Sequence, residues 1–218
     1  RNKVFEKQLF LDLVRAVIKH SPSKKYSEEV LAEGKKRALK LLYRLLFILY
    51  AESRNLLPTG DSRYEHISMS KLRERLPSLE KEGNGAQAWQ ALQNLFKAIS
   101  SGDPNVNVPQ YDGALFEHDK DIDSLEVLNK HLVPALRALT EIDGKGIDYQ
   151  NLGVRQLGSL YEALLEYTVS QAQTDLVIIK DEILDMSFIS DLKGKPERII
   201  ERGDIYLTSG GLARKGTG

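Results

Sequence analysis

The segment from Ser27 to Asn55, "SEEVLAEGKKRALKLLYRLLFILYAESRN", constrains the fold more than any other stretch of the chain. Ser27 is placed to accept a backbone N–H at a helix start, and Glu28 and Glu29 suit the positive end of the helix dipole. Pro58 marks where a helix running to about Asn55 must already have stopped. The second half is apolar on nearly every face, so this helix has to be surrounded by other helices at the centre of a bundle. Its longest apolar run, Leu41 to Ala51, is too short to span a bilayer and contains Arg44. An unpaired guanidinium in such a place is costly, so Arg44 is expected to be a buried ion-pair anchor to a carboxylate on another helix rather than a phosphate contact.

Further helical patterns supply the surrounding elements. Phe5 to Ile18 places Phe5, Leu9, Leu13 and Val17 on one face. Helices are predicted over 70–76, over 86–99 around Trp89, and over 125–139 behind an Asp123 cap, with a kink or restart at Pro134. "VRQLGSLYEALLEYTVSQA" predicts one more helix over 154–172, in which Gly158 points to close helix packing and Tyr161 and Glu162 to contacts that fix it. Beyond it the texture becomes β-branched and is broken by Gly194 and Pro196, which predicts strands near 175–180, 183–189 and 204–208. The expected fold class is therefore mainly α: a helical bundle over 1–172, followed over 173–218 by a small β-hairpin or three-stranded sheet.

Composition narrows the class of protein. A chain of 218 residues that is 41% hydrophobic can bury a core, and the absence of cysteine removes disulfides and thiolate chemistry. No signal peptide is visible, so the expected location is the cytoplasm, with no membrane partner. A net charge of zero averages a basic region, holding Lys24, Lys25, Lys35, Lys36, Arg37, Lys40 and Arg44, and an acidic one from Glu117 to Glu126. The lysine-rich stretch permits a nucleic-acid surface, and a solvated helix face accounts for it more simply.

Motifs for catalysis do not assemble. His20, His66, His118 and His131 are scattered rather than spaced as ligands. Asp119, Asp121 and Asp123 match the start of a calcium loop, but Ser124 stands where glycine is needed and Lys130 where the bidentate glutamate belongs. The tripeptide Asp191 to Lys193 has nuclease form, yet it lies in a turn-like context beside Gly194 and Pro196. No lysine follows Gly216, so the glycines from Gly211 onward lack the phosphate contact of a phosphate-binding loop. The residues thus give no catalytic, cofactor-binding or metal-binding set.

Four stretches together carry a family resemblance: "LLYRLLFILYAESRNLLP" (41–58), "YDGALFEHD" (111–119), "DYQNLGVRQLGSLYEALLEY" (148–167) and "GDIYLTSGGLARKGTG" (203–218). In order and spacing they resemble the region upstream of the methyltransferase domain in Type IIG-like restriction-modification enzymes and related adenine-specific (N6) DNA methyltransferase subunits. The resemblance implies a helical connector without an active site of its own, covalently linked to a methyltransferase domain that "GSLYE" (158–162) would face as the alternative to fixing helix packing. It implies S-adenosylmethionine as cofactor and double-stranded DNA as partner of the full-length protein, with Lys35, Lys36, Arg37, Arg214 and Lys215 as candidate DNA contacts. In that family an ending like "RKGTG" runs into the first cofactor motif, so Gly218 is expected to lie just ahead of the cofactor pocket. The alternative expectation is an independent all-α module for protein–protein interaction.

Overall fold

The computed structural model describes residues 3–111, 113–142, 144–151, 153–179, 182–187 and 196–209. Helix α1 (Lys3–Ile18) lies along α2 (Glu28–Ser53), the predicted central helix. Ser27 Oγ accepts the Val30 N–H at 3.3 Å, and Asn55, with φ of 54°, takes the left-handed turn that stops the helix before Pro58. A Cβ at Gly34 would overlap the Ile18 side chain, so α1 and α2 approach closely at that point.

Helices α3 (Ser62–Glu65), α4 (Met69–Lys81) and α5 (Gln87–Ser101) follow, and then a 3₁₀ turn at Pro104–Val106, α6 (Lys120–Asp123) and α7 (Asn129–Thr140). The core gathers Phe10, Leu13, Leu42, Leu45, Trp89 and Leu132 at essentially zero exposure. Helix α4 continues through Pro77 beyond the predicted end at Leu76, because Leu79 as well as Leu72 and Leu76 is buried in this core.

Helix α7 begins at Asn129, not at Leu125, and Asp123 is not its cap. Asp123 closes α6, and its carboxylate is taken by Arg44 and by the Asp119 N–H. Asn129 instead binds sideways: its Oδ1 accepts the Ala88 N–H, while its Nδ2 donates to the Glu82 carbonyl and to Gln87 Oε1. The helix runs on through Pro134, which stands in its interior and removes one backbone donor.

A two-strand hairpin, β1 (Glu141–Ile142) with β2 (Lys145–Gly146), precedes α8 (Val154–Leu165). This last helix stops well short of the predicted Ala172. Tyr167–Gln171 forms strand β3, because the β-branched Thr168 and Val169 find a partner strand far along the chain. The remaining strands are β4 (Leu176–Ile179), β5 (Glu182–Asp185), β6 (Arg198–Ile200) and β7 (Ile205–Ser209). The β part therefore opens at Tyr167, ahead of residue 173, and β6 is a strand that the sequence pattern did not reveal. Of the predicted strand over 183–189, residues 188–189 lie outside the described residues.

One register unites the two C-terminal sheets. Gln171 pairs with Ile205 in the β3–β7 sheet, and Leu176 pairs with Ile200 in the β5–β4–β6 sheet. Each strand has advanced by the same five residues between those pairs. The strands β3–β4 and β6–β7 are thus one antiparallel ribbon, bent at 172–175 and 201–204. The bend is held by Ala172 N–H to the Asp204 carbonyl and Gly203 N–H to the Ala172 carbonyl, both 2.8 Å. The fold is mainly α with a small antiparallel β portion at the C-terminal end. Among the described residues no helix is long and apolar enough to cross a membrane.

Candidate functional site

Two polar arrangements and one open groove stand out, the first arrangement and the groove on α2 and the second between α1 and the C-terminal ribbon. The first arrangement is centred on Arg44, whose side chain is 1% exposed. Its Nη1 lies 3.0 Å from Asp123 Oδ1, Nε donates to the Leu115 carbonyl at 2.8 Å, and Nη2 donates to the Glu117 carbonyl at 2.9 Å. Phe96 and Phe116 present their rings to the guanidinium at 5.2 and 5.8 Å. The expected carboxylate on another helix is therefore Asp123, and two backbone carbonyls complete the set.

The groove, about 980 Å³, lies between α2 and α8 and is closed at one side by the segment from Leu115 to Ile122. Lys35, Lys36, Arg37 and Lys40 all line it, but most of these cations are already engaged. Lys35 Nζ donates to the Leu165 carbonyl at 2.6 Å, satisfying an end group of α8, and burial lowers its pKa. Arg37 reaches Glu33 at 3.3 Å and Asp121 at 3.9 Å. Lys40 is paired with Asp119, and its hydrogen bond holds that carboxyl below the usual range. Lys36 alone of the four is exposed and without a partner among the described residues. Tyr161 meets Tyr43 edge-on at 5.5 Å, so it does fix α8 against α2, whereas Glu162 lines the groove and is exposed.

The second arrangement ties the ribbon to the bundle. Asp204 receives Arg15 through both carboxylate oxygens, at 3.1 and 3.0 Å, and His20 Nε2 lies 3.2 Å away. The His20 ring is 6% exposed and is not aligned for a hydrogen bond at either nitrogen. Burial acts to raise the Asp204 carboxyl, but His20, Arg15 and the Ile205 N–H outweigh it and hold the group down at about 2. Alongside, Gln171 Nε2 donates to the Lys24 and Gly203 carbonyls at 2.7 and 2.8 Å, and its Oε1 accepts the Tyr26 N–H. Sequence reasoning missed this cluster, since nothing local marks Arg15 and Asp204, which lie 189 residues apart.

The other histidines stay apart. His118 Nδ1 is 2.9 Å from Asp123 and largely exposed, His66 caps α3, and His131 is half-buried on α7. Among the described residues no group of three or more histidine or acidic side chains is arranged to hold a metal ion. The aspartates at 119, 121 and 123 turn instead to Lys40, Arg37 and Arg44. Arg214, Lys215, the Asp191 to Lys193 tripeptide and the glycines from Gly211 onward lie outside the described residues. No protein-family model, curated protein or solved structure gives a significant match to the chain.

Proposed function

We propose that this chain is the helical connector of a DNA restriction-modification protein, lying upstream of an S-adenosylmethionine-dependent, adenine-specific DNA methyltransferase domain in the cytoplasm. The observation that supports this reading is the way the four resembling stretches meet. Arg44 in the first is clasped by the carbonyls of Leu115 and Glu117 in the second. Tyr161 in the third packs on Tyr43 in the first, and β7 in the fourth pairs with β3, which begins where the third ends. Side chains scattered over some 160 residues of sequence thus form one connected unit, as a rigid spacer requires.

The reading assigns the cofactor and the base chemistry to the linked domain and no residue of this chain to either. Double-stranded DNA is a partner of the whole protein. Contact by this chain is weak and lost at moderate salt, because three of the four groove cations are internally bonded. The open groove favours a second reading, an all-α module that binds protein partners.

Calorimetric titration of S-adenosylmethionine separates the two. Binding by the chain joined to the methyltransferase domain, and not by the chain alone, is the expected result. Binding by neither overturns the connector reading and leaves the interaction module.

A further inference from the structure

Gly158 sits inside α8, where glycine costs roughly 1 kcal/mol relative to alanine. Close helix packing is the usual compensation, yet a Cβ built at Gly158 meets nothing within 4 Å. Nothing among the described residues uses the room this glycine leaves. The position lines the α2–α8 groove together with Tyr43, Tyr161 and Leu165, and Leu165 is 46% exposed. Of Leu160, Tyr161, Leu164 and Leu165 on α8, Leu164 is the only one fully buried. The helix therefore carries more apolar surface than the described residues cover.

The two rims of the groove differ in sign. Lys36 stands on the α2 side and Glu162 on the α8 side, both exposed and neither with a partner among the described residues. A helix that fills the groove must offer apolar side chains at helical spacing and a carboxylate directed toward α2. Helix α8 offers both, in Tyr161, Leu165 and Glu162. A twofold axis near Gly158 brings α8 of a second copy antiparallel across the first, with Lys36 facing the partner's Glu162 and the reverse. Two glycines at the crossing allow the backbones to approach closely, and the net charge of zero leaves no overall repulsion between copies.

We infer that the α2–α8 groove is the interface of a symmetric homodimer, occupied by α8 of a second copy crossing at Gly158. This inference does not rest on the methyltransferase reading, because its test needs neither DNA nor cofactor.

Sedimentation equilibrium of the chain from roughly 1 to 100 μM reads the association in the range expected of a small interface. Lys36→Glu and Glu162→Lys are each expected to weaken it about tenfold, and the double reversal to restore it. Gly158→Leu, whose Cβ meets nothing within 4 Å in the monomer, is expected to abolish association while circular dichroism is unchanged and the melting temperature of the monomer is kept or raised. A wild-type chain that remains monomeric throughout overturns the inference. So does a dimer that ignores both single reversals, or one that the double reversal fails to restore.

Discussion

Arg44 Nη1 stands 3.0 Å from Asp123 Oδ1 across the interior, joining the middle of α2 to the end of α6 over 79 residues of sequence. The guanidinium is fully buried while the carboxylate keeps 27% exposure, so the water-facing acid neutralises a charge that water cannot reach. Truncation by Arg44→Ala leaves Asp123 and the carbonyls of Leu115 and Glu117 without their donor. The expected loss is about 3 to 5 kcal/mol, measured as a lower urea midpoint at unchanged slope. Arg44→Lys is expected to recover only part of it, because one ammonium cannot reproduce the planar fork that serves three acceptors.

Glu52 performs a similar service with the opposite charge. Its Oε1 accepts the Tyr64 hydroxyl at 2.7 Å and the Met69 N–H at 2.8 Å, holding the start of α4 against α2. Burial raises its pKa, and those donors partly offset the rise. Glu52→Ala strands both donors, at an expected cost of about 1 to 3 kcal/mol. Hydrogen exchange at the first turn of α4 localises the damage, and unchanged protection there contradicts the assignment.

These two centres show what a sequence of this kind discloses and what it withholds. The buried face of α2 and its cap at Ser27 follow from periodicity, and the need to pair Arg44 follows from burial alone. The identity of the partner does not, because Asp123 sits in an acidic run where any of several carboxylates could serve. The helix pattern over 154–172 misleads for a physical reason. Val169 and Ala172 fit a helical face as well as a strand, and pairing with β7 decides between them. Only Tyr161 of the residues read there as packing contacts keeps that role, while Glu162 faces the groove. Of the candidate DNA contacts that are described, Lys36 alone stays unpaired, since a run of lysines announces charge but not its neighbours.

Acid should loosen the structure in two separate windows. His131 has its pKa lowered below 6.5 by burial first, and then by the electrostatic influence of Lys130, His20 and Arg15. The unfolded chain then binds the extra proton more readily, so stability falls as pH drops through 6.5. Asp204 is depressed from 3.8 to about 2, so its contribution is complete above pH 3.8 and disappears as pH falls from 3.8 toward 2. Urea unfolding across pH is expected to show both steps. His131→Gln removes the upper one, and Asp204→Asn removes the lower one together with about 2 kcal/mol at neutral pH.

The ribbon's attachment can be broken without touching a charge. Gly203 has φ of 89° at the bend, and a Cβ there would overlap the Pro22 carbonyl oxygen, which belongs to backbone and has little room to yield. Gly203→Ala therefore meets both a disfavoured conformation and a clash, and it displaces the carbonyl that Gln171 binds. The expected loss is about 2 kcal/mol or more. Its signature is regional: hydrogen exchange rises in β3 and β7, where the ribbon meets the bundle, while amides in the buried half of α2 keep their protection. Uniform destabilisation instead would mean that the ribbon and the bundle unfold as one unit, with Asp204 and Gln171 binding them too tightly to separate.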